Sequence, residues 1–323
     1  MIATLKKIYG HFVHQRLFKQ QFKFQNELRK KYQGADNYNR LEYIIRVQTH
    51  GIEKGLSFRT PKEAFGVVKI MALIENLKIY IQYPNLNKES VNETLNVLNT
   101  YINKFKGNPK IEQIVKEYNI LTAKFGVIEE CCVGTMTIHK KDVEEAIDID
   151  YLKFIKARHS YRYFTKDASI EQIKQALEIA CYTPTACNRQ PQYVHIYQGK
   201  EMEEVLAIQH GALGFIDEMS YCILITTDMR AYSAQENYQA YVDGGLYAMN
   251  LLNALHFTGL GTIPLTCGHL QGTNRCKLAQ YGVEEYECPI IIIGIGGLED
   301  SAEVNVSPRK EYSDYTTFHT NDK

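Results

Sequence analysis

Residues 158–164 read Arg158-His159-Ser160-Tyr161-Arg162-Tyr163-Phe164. If this segment is extended, the side chains of Arg158, Ser160 and Arg162 point to the same side, because side chains alternate along a strand. Two guanidinium groups and a hydroxyl on one side suit a phosphate together with the polar edge of a ring. The alternative is a solvated basic turn, and this motif alone does not separate the two interpretations.

A second stretch, Thr183-Pro-Thr-Ala-Cys-Asn188-Arg-Gln-Pro191, lies directly before a predicted strand. Its two prolines restrict the backbone, and Asn188 stands between them. An asparagine amide offers one acceptor and two donor protons, which matches the mixed edge of a pyrimidine-like ring. Taken alone, the stretch is also typical of an ordinary proline-rich turn.

Two further pieces follow along the chain. Tyr241-Val-Asp-Gly-Gly245 opens a long predicted helix, which is followed by Gly259-Leu-Gly261. The small residues allow another helix or a flat ligand to approach closely, and the Gly-x-Gly loop can present backbone N–H groups. Near the C-terminus, Ser307-Pro-Arg309-Lys310 places a pair of cations after a predicted core strand, where they either complete a phosphate site or remain solvated.

In this order and spacing, the four pieces resemble the FMN-dependent nitroreductase family over about residues 150–320. Residues 158–164 are similar to its Arg-x-Ser-x-Arg-x-Phe motif, and residues 183–191 to its Pro-Ser-x-x-Asn-x-Gln-Pro loop. The resemblance implies an α+β fold with a small mixed central sheet flanked by helices. It also implies bound FMN and a homodimer with the flavin at the subunit interface.

The resemblance carries over a set of cofactor-binding residues: Arg158, His159, Ser160, Arg162, Asn188, Gln190, Gly261 and Arg309. Within this set, it places Arg158, Ser160 and Arg309 at the FMN phosphate, and it places Arg162 and Asn188 at the flavin ring. A cation such as Arg162 would stabilise the negative charge that reduced flavin develops near N1 and O2. No catalytic side chain is predicted, since a hydride donor need only stack over the ring at about 3–3.5 Å.

The implied reaction is two-electron hydride transfer between NAD(P)H and a small organic acceptor such as a nitro or quinone compound. Gln192 follows the Gln-Pro pair where the family often has tryptophan, and the chain contains no tryptophan. Two alternatives therefore stay open. One is an FMN-dependent dehydrogenase or desaturase that acts on a specific metabolite, and the other is a flavin-fold binding or scaffold protein without turnover.

The chain divides by pattern into an all-helical region, residues 1–145, and an FMN-binding domain, residues 146–323. Thr60-Pro61 is a helix start signal, Ser90 with Glu93 has the spacing of a capping box, and Asn108-Pro109 is typical of a third helix start. Strands are expected only after residue 190, at 193–197, 221–227 and 290–294, alternating with helices that begin near Ile170, Lys200 and Tyr238.

Composition limits the possible functions. The 323 residues allow about two domains, and the balance of 37 basic and 37 acidic side chains disfavours nucleic-acid binding. Residues 1–50 nevertheless hold 10 basic and 3 acidic side chains. We interpret this region as part of a structural cap over the flavin-binding domain, with contact to an anionic membrane surface as the weaker alternative.

The eight cysteines include no C-x-x-C pair, so we expect no metal site and interpret them as buried free thiols in a reducing compartment. Cys267 is interpreted as structural, with a position near the flavin as the alternative. His50-Gly-Ile-Glu53 is not an H-E-x-x-H zinc motif. The longest purely apolar runs, such as Ile70–Ile74, have five residues, far short of the ~20 residues that span a bilayer. The sequence thus predicts a soluble, cytoplasmic protein.

Overall fold

The computed structural model of the chain describes residues 38–58, 64–126, 149–233, 235–236, 238–270, 272–302 and 309–319. It also describes separate positions between 15 and 31, between 128 and 135, and at 304, 305 and 307. The helices are α1 (Tyr38–Leu56), α2 (Val67–Tyr80), α3 (Lys88–Lys104), α4 (Glu112–Phe125), α5 (Tyr151–Ala157), α6 (Ile170–Ala180), α7 (Gly199–Gln209) and α8 (Gln239–Phe257). The strands are β1 (Gln192–Tyr197), β2 (Tyr221–Asp228), β3 (Gly261–Thr266) and β4 (Glu287–Gly296).

Helices α1 to α4 form a helical unit with its own core. Apolar side chains from all four helices are fully buried in this core, including Ile45, Leu73, Ile74, Leu77, Leu95, Leu98, Ile114 and Leu121. Tyr80 and Tyr101 are buried with them, and their hydroxyls donate to Glu42 and to the carbonyl of Phe65. As predicted, no strand lies before Gln192 in the described part of the chain.

The helix starts in this unit differ in part from the predicted ones. Asn108 accepts from the backbone N–H of Lys110 and opens the turn that leads into α4, as expected. The predicted cap at Ser90 is wrong: Asn87 caps α3, and Ser90 already lies inside the helix. Asparagine and serine are both good N-caps, so the sequence alone could not choose between them. The start signal at Thr60-Pro61 lies outside the described residues.

The central sheet has the strand order β1-β2-β4-β3. A mixed sheet was expected, but every pair among these four strands is antiparallel. The parallel element in the described chain is a single bridge between Ser160 and Thr262. The predicted mixture of parallel and antiparallel strand pairs is therefore not found in the sheet itself. Parallel pairing is limited to this one bridge, because the segment around Ser160 meets the edge of β3 without forming a strand of its own.

Helix α8 packs on the sheet and on α6. A side chain at Gly244 would clash with Ile290 of β4, because a Cβ built there lies 2.6 Å from Ile290 Cγ1. Gly244 therefore serves the close contact between helix and sheet within one chain. Helix α6 begins with the predicted capping box, in which Ser169 and Gln172 each bond the other's backbone N–H. This α+β unit contains the strands and both predicted motifs.

The helical unit contacts the α+β unit through α1, which packs on residues 186–188 and 229–231. At this contact, the Tyr43 hydroxyl donates to Asp228 Oδ2 at 3.0 Å. Asp228 is fully buried and also pairs with Arg230 at 2.6 Å. Burial and the nearby Asp228 carboxylate raise the pKa of Tyr43, so the hydroxyl keeps its proton and remains a donor. The domain boundary at residues 145/146 stays a prediction.

None of the helices in the described part of the chain combines the length and the apolar character needed to cross a bilayer.

Candidate functional site

A cavity of about 640 Å³ lies beside the segment 158–162. Five of the sequence-predicted residues line it: Arg158, His159, Ser160, Arg162 and Arg309. Helix α5 contributes Lys156, and the first half of β3 contributes Ile263 and Pro264. The volume lies in the usual range for small-molecule sites, about 300–1,000 Å³.

The segment 158–164 is held in place by the sheet. Tyr161 donates its backbone N–H to the carbonyl of Thr262 at 3.0 Å, and Thr165 exchanges two backbone hydrogen bonds with Gly297. Between these two anchors, the ring of Phe164 is buried. It occupies the space that side chains at Gly261 and Gly296 would fill. The basic side chains of the motif are thus attached to a fixed piece of backbone.

The electrostatics of the cavity favour an anion. Lys156, Arg158, Arg162 and Arg309 line it, and no carboxylate is present among its described lining residues. Burial and the like charge of Arg309 lower the pKa of Arg158. Two guanidinium groups that raise each other's energy in this way are stabilised when a phosphate lies between them.

Ser160 and His159 are both half-buried at the cavity wall. Arg158 donates to the carbonyl of His159 at 3.2 Å, which fixes the guanidinium close to the backbone. Arg162 is exposed and donates to Asn305 Oδ1 at 3.3 Å. Arg309 donates to the carbonyl of Ser307. Each arginine therefore keeps N–H donors for a ligand while one donor fixes its orientation.

Asn188 and Gln190 are not part of this cavity. Asn188 lines a separate cavity against α1 and α3, and Gln190 lines another that also faces α1. Their loop contains three non-glycine residues with positive φ, namely Cys187 at 52°, Asn188 at 51° and Gln190 at 50°. Such conformations are uncommon outside glycine and are often found at functional sites.

Buried polar groups hold this strained loop in shape. Arg189, 4% exposed, donates to the carbonyl of Ala186 at 2.8 Å and to that of Ala231 at 2.6 Å. It also bonds both carboxylate oxygens of Glu236. The buried Asp243 accepts from the backbone N–H of Ala186 at 3.1 Å. The position of Asn188 is thus determined by residues before and inside α8.

Two other predicted positions lie away from the cavity. Gly261 is buried under Phe164 and Leu298 and does not line it. Cys267 is also buried, and burial raises the pKa of its thiol; it does not line the cavity either. The expectation of buried cysteines holds for Cys222, Cys267 and Cys288, but it is wrong for the exposed residues Cys181, Cys187 and Cys276.

Several residues that line the cavity were not predicted from the sequence. Lys156 lies two positions before Arg158, so its positive charge could have been counted from the sequence as part of the predicted anion site. Asn305 and Pro264 gave no such signal, because they reach the cavity only through the tertiary fold. Among the described residues, no group of histidine, cysteine and carboxylate side chains is arranged to hold a metal ion.

Residues 155–220 match the model of the nitroreductase family, which confirms the resemblance read from the motifs. The residues before 155 lie outside this match. No curated protein matches the chain.

Solved structures in part similar to this chain include the following three. One is the nitroreductase family protein from Streptococcus pneumoniae TIGR4, with a TM-score of 0.45 and 20% identity; the match covers 52% of this chain and 100% of that one. A protein from Desulfovibrio desulfuricans, described as a nitroreductase in complex with FMN, has a TM-score of 0.46 and 18% identity. The match covers 54% of this chain and 98% of that one. A protein from Staphylococcus epidermidis, described as an NAD(P)H:FMN oxidoreductase, has a TM-score of 0.44 and 18% identity. The match covers 52% of this chain and 95% of that one.

Proposed function

We propose that this chain is an FMN-dependent oxidoreductase of the nitroreductase type, which transfers a hydride between NAD(P)H and a small organic acceptor such as a nitro or quinone compound. The observation that carries the proposal is the cavity with four cationic side chains and no carboxylate among its described lining residues. The family match over residues 155–220 supports the same chemistry.

The residues around the cavity fit FMN. Arg158, Ser160 and Arg309 offer charged and neutral donors to a phosphate, and Arg158 is poorly compensated until an anion arrives. Ile263 and Pro264 offer an apolar wall to a flat ring. A site for a phosphorylated aromatic cofactor needs both features.

When bound, FMN supplies a ring that can accept and return a hydride. The guanidinium of Arg162 lies at the edge of the cavity, where its positive charge would stabilise negative charge on the reduced ring of a bound FMN. Asn305 orients that guanidinium through its side-chain oxygen. The chain's own contribution is therefore binding, orientation and electrostatic stabilisation, and no side chain needs to act as a nucleophile.

The separation of Asn188 from the phosphate cavity supports a homodimer. Within one chain, Asn188 and Arg158 line different cavities. We expect the Asn188 loop of a second copy to complete the ring-binding part of the site. Mixed dimers of an Asn188→Ala chain with an Arg158→Ala chain should then regain one complete site, which spectroscopic titration with FMN would detect.

The cofactor test uses the protein carrying Arg158→Ala and Arg309→Ala. A hydrogen bond to a charged group contributes about 1.5–3 kcal/mol, so losing two should weaken FMN binding at least ~100-fold. The wild-type protein should purify yellow with tight, non-covalent FMN, and the double variant should purify colourless. Lys153→Ala is the control, because Lys153 is exposed on α5 and does not line the cavity. A colourless wild-type protein that cannot be reconstituted with FMN would refute the proposal.

The donor test is an anaerobic absorbance trace of the FMN-loaded protein after addition of NADH or NADPH. Bleaching of the flavin bands is expected with at least one of them. Bleaching by neither nucleotide, with FMN demonstrably bound, would contradict the nicotinamide part of the proposal. That result would favour a dehydrogenase or desaturase acting on a specific metabolite.

A further inference from the structure

We propose that Asp243 of α8 is a positioning residue for the flavin ring, which acts by fixing the loop that carries Asn188. The inference rests on the proposed function, since it takes Asn188 to contact the ring bound by a second copy of the chain. Asp243 is 2% exposed and lies in the second turn of α8. It does not line the phosphate cavity, so an effect of Asp243 on bound FMN has to pass through other residues.

The Asp243 carboxylate accepts three hydrogen bonds from uncharged donors. Its Oδ1 accepts the backbone N–H of Ala186 at 3.1 Å and Nε2 of Gln239 at 2.9 Å. Its Oδ2 accepts the hydroxyl of Tyr232 at 3.0 Å. The bond from Ala186 joins the loop to α8, and it is a strong one, because hydrogen bonds to an ionised acceptor are roughly twice as strong as neutral ones.

Ala186 is held on both sides by buried charged side chains. Its N–H donates to Asp243, and its carbonyl accepts from Arg189 Nε at 2.8 Å. The guanidinium of Arg189 lies over the ring of Tyr232, 5.2 Å from the centroid, while the hydroxyl of the same tyrosine bonds Asp243. The two anchors of Ala186 therefore support each other through Tyr232.

The residues that follow Ala186 depend on this anchor. Cys187 and Asn188 have φ angles of 52° and 51°, a conformation that persists in non-glycine residues only where the surroundings enforce it. The exposed Asn188 side chain uses its Oδ1 to accept from Gln190 Nε2 at 3.2 Å, which leaves its own N–H donors for a ligand. Loss of the bond at Ala186 would let the strained pair relax and would displace the Asn188 amide.

The position of this amide has a chemical consequence for bound FMN. Reduction adds negative charge to the flavin ring, and an N–H donor that is already oriented beside the ring stabilises the reduced form more than the oxidised form. Releasing the loop should therefore make the reduction potential of the bound flavin more negative. A residue that only stabilised the fold would leave that potential unchanged.

The main test compares Tyr232→Phe with the double variant Tyr232→Phe, Asp243→Leu, in which no tyrosine hydroxyl is left unpaired. A redox titration of each full-length protein, saturated with FMN, gives the potential. In the double variant, binding of reduced FMN relative to oxidised FMN should weaken about tenfold, which is ~30 mV for a two-electron couple. Tyr232→Phe is the matched control and should keep the wild-type potential. Asp243→Asn keeps a weaker, neutral acceptor and should shift the potential in the same direction by less.

Two further measurements show whether Asp243 acts through the loop. Hydrogen exchange in the full-length, FMN-free protein reports the loop without the flavin, and the Ala186 amide should exchange faster in the double variant than in Tyr232→Phe. The second measurement repeats the redox titration in an Asn188→Ala background. There, replacing Asp243 should cause no further shift, because two residues that act through one contact are not additive.

Unchanged exchange at Ala186 in the double variant would overturn the inference, as would an unchanged potential. A further shift in the Asn188→Ala background would also overturn it, since Asp243 would then act by another route. A thermal melt checks folding; if the leucine variant does not fold, wild-type exchange and potential in Asp243→Asn would be the contrary result. A wild-type protein that binds no FMN would instead refute the proposed function, and the exchange measurement would still report the anchor separately.

Discussion

Arg189 is a buried cation whose positive charge is balanced by one carboxylate, that of Glu236. Its guanidinium is 4% exposed and bonds both oxygens of Glu236. The Arg189 hydrogen bonds lower the pKa of Glu236 from its ordinary 4.5 to about 2. Because the pKa is lower in the folded state, this contribution to stability is complete above pH 4.5 and is lost as the pH falls from 4.5 towards 2.

The Glu236→Gln variant tests this linkage. At pH 6 it should melt at a lower temperature than the wild type, since Arg189 loses its charged partner. The difference in melting temperature should shrink as the pH is lowered towards 3. In that range the Glu236 carboxyl of the unfolded chain takes up a proton while that of the folded protein, with a pKa of about 2, stays ionised, so the wild type loses the stability that this charge contributes. Glu203→Gln, at an exposed position of α7, is the control. A difference that stays constant from pH 6 to pH 3 would contradict the assignment.

For single residues, the sequence predicted the positively charged cavity at Arg158 better than it predicted the position of Asn188. Alternation in residues 158–162 was enough to predict that Arg158, Ser160 and Arg162 share one side, and all three line the same cavity. Asn188 could not be located in this way. Its surroundings are formed by α1 and α3, more than 80 residues earlier in the chain, and no local pattern encodes that contact.

At the scale of elements, α8 carries an apolar face that is about half-exposed in the described part of the chain. Val242, Leu246 and Met249 are 50%, 48% and 47% exposed. Their spacing places them on one side of the helix together with Gly245. The small residues Gly244 and Gly245 were expected to let another helix approach closely, but Gly244 is buried against Ile290 within the chain. We therefore assign the proposed dimer contact to the face of Val242, Leu246 and Met249.

Leu246→Glu tests this contact. A charge in the centre of a buried helix pair is costly, so the variant should become monomeric. It should also lose FMN, if the Asn188 loop of the second copy completes the site. Light scattering with parallel absorbance spectra measures both properties. Gln175→Glu introduces the same charge at an exposed position of α6 and should change neither. A flavin-loaded monomer at micromolar concentration would contradict the dimer.

Helix α6, which a local capping signal specifies, was predicted from the sequence, whereas strand β3, which depends on its neighbours in the sheet, was not. The capping box of α6 is local and was correct. Strand β3 was interpreted as a loop, because it begins at Gly261 and contains Pro264. Proline is tolerated in an edge strand, where its missing N–H is not needed. β3 is such an edge, pairing only with β4 among the described strands; that position depends on the whole sheet and cannot be read from six residues.

At the scale of the whole molecule, the helical unit covers the buried Asp228–Arg230 pair of the α+β unit and gives Asp228 an additional hydrogen bond from Tyr43. Deleting residues 1–140 removes the Tyr43 donor from the buried Asp228 and removes α1 from residues 186–188 and 229–231. We expect the truncated protein to aggregate, which size-exclusion chromatography with light scattering would detect. Tyr43→Phe isolates the hydrogen bond and should cost about 1–3 kcal/mol of unfolding free energy. A truncated protein that stays soluble and dimeric, with unchanged kinetics, would identify the helical unit as an independent docking module.

The packing of Phe164 has a consequence for how this protein can vary. A Cβ at Gly296 would lie 2.3 Å from Phe164 Cβ, and one at Gly261 would lie 3.1 Å from its ring. Gly296 cannot gain a side chain without a shift of the backbone, whereas a side chain at Gly261 requires Phe164 or Leu298 to move by a few tenths of an ångström. Any residue other than glycine at 164 keeps the Cβ that excludes a side chain at Gly296, so Gly296 is fixed whatever aromatic or aliphatic residue stands there. The tolerance of Gly261, by contrast, depends on residue 164: a smaller residue there removes the ring contact and leaves Leu298 as the neighbour to be accommodated. A substitution at Gly261 is therefore more easily accepted after a change at Phe164 than before it.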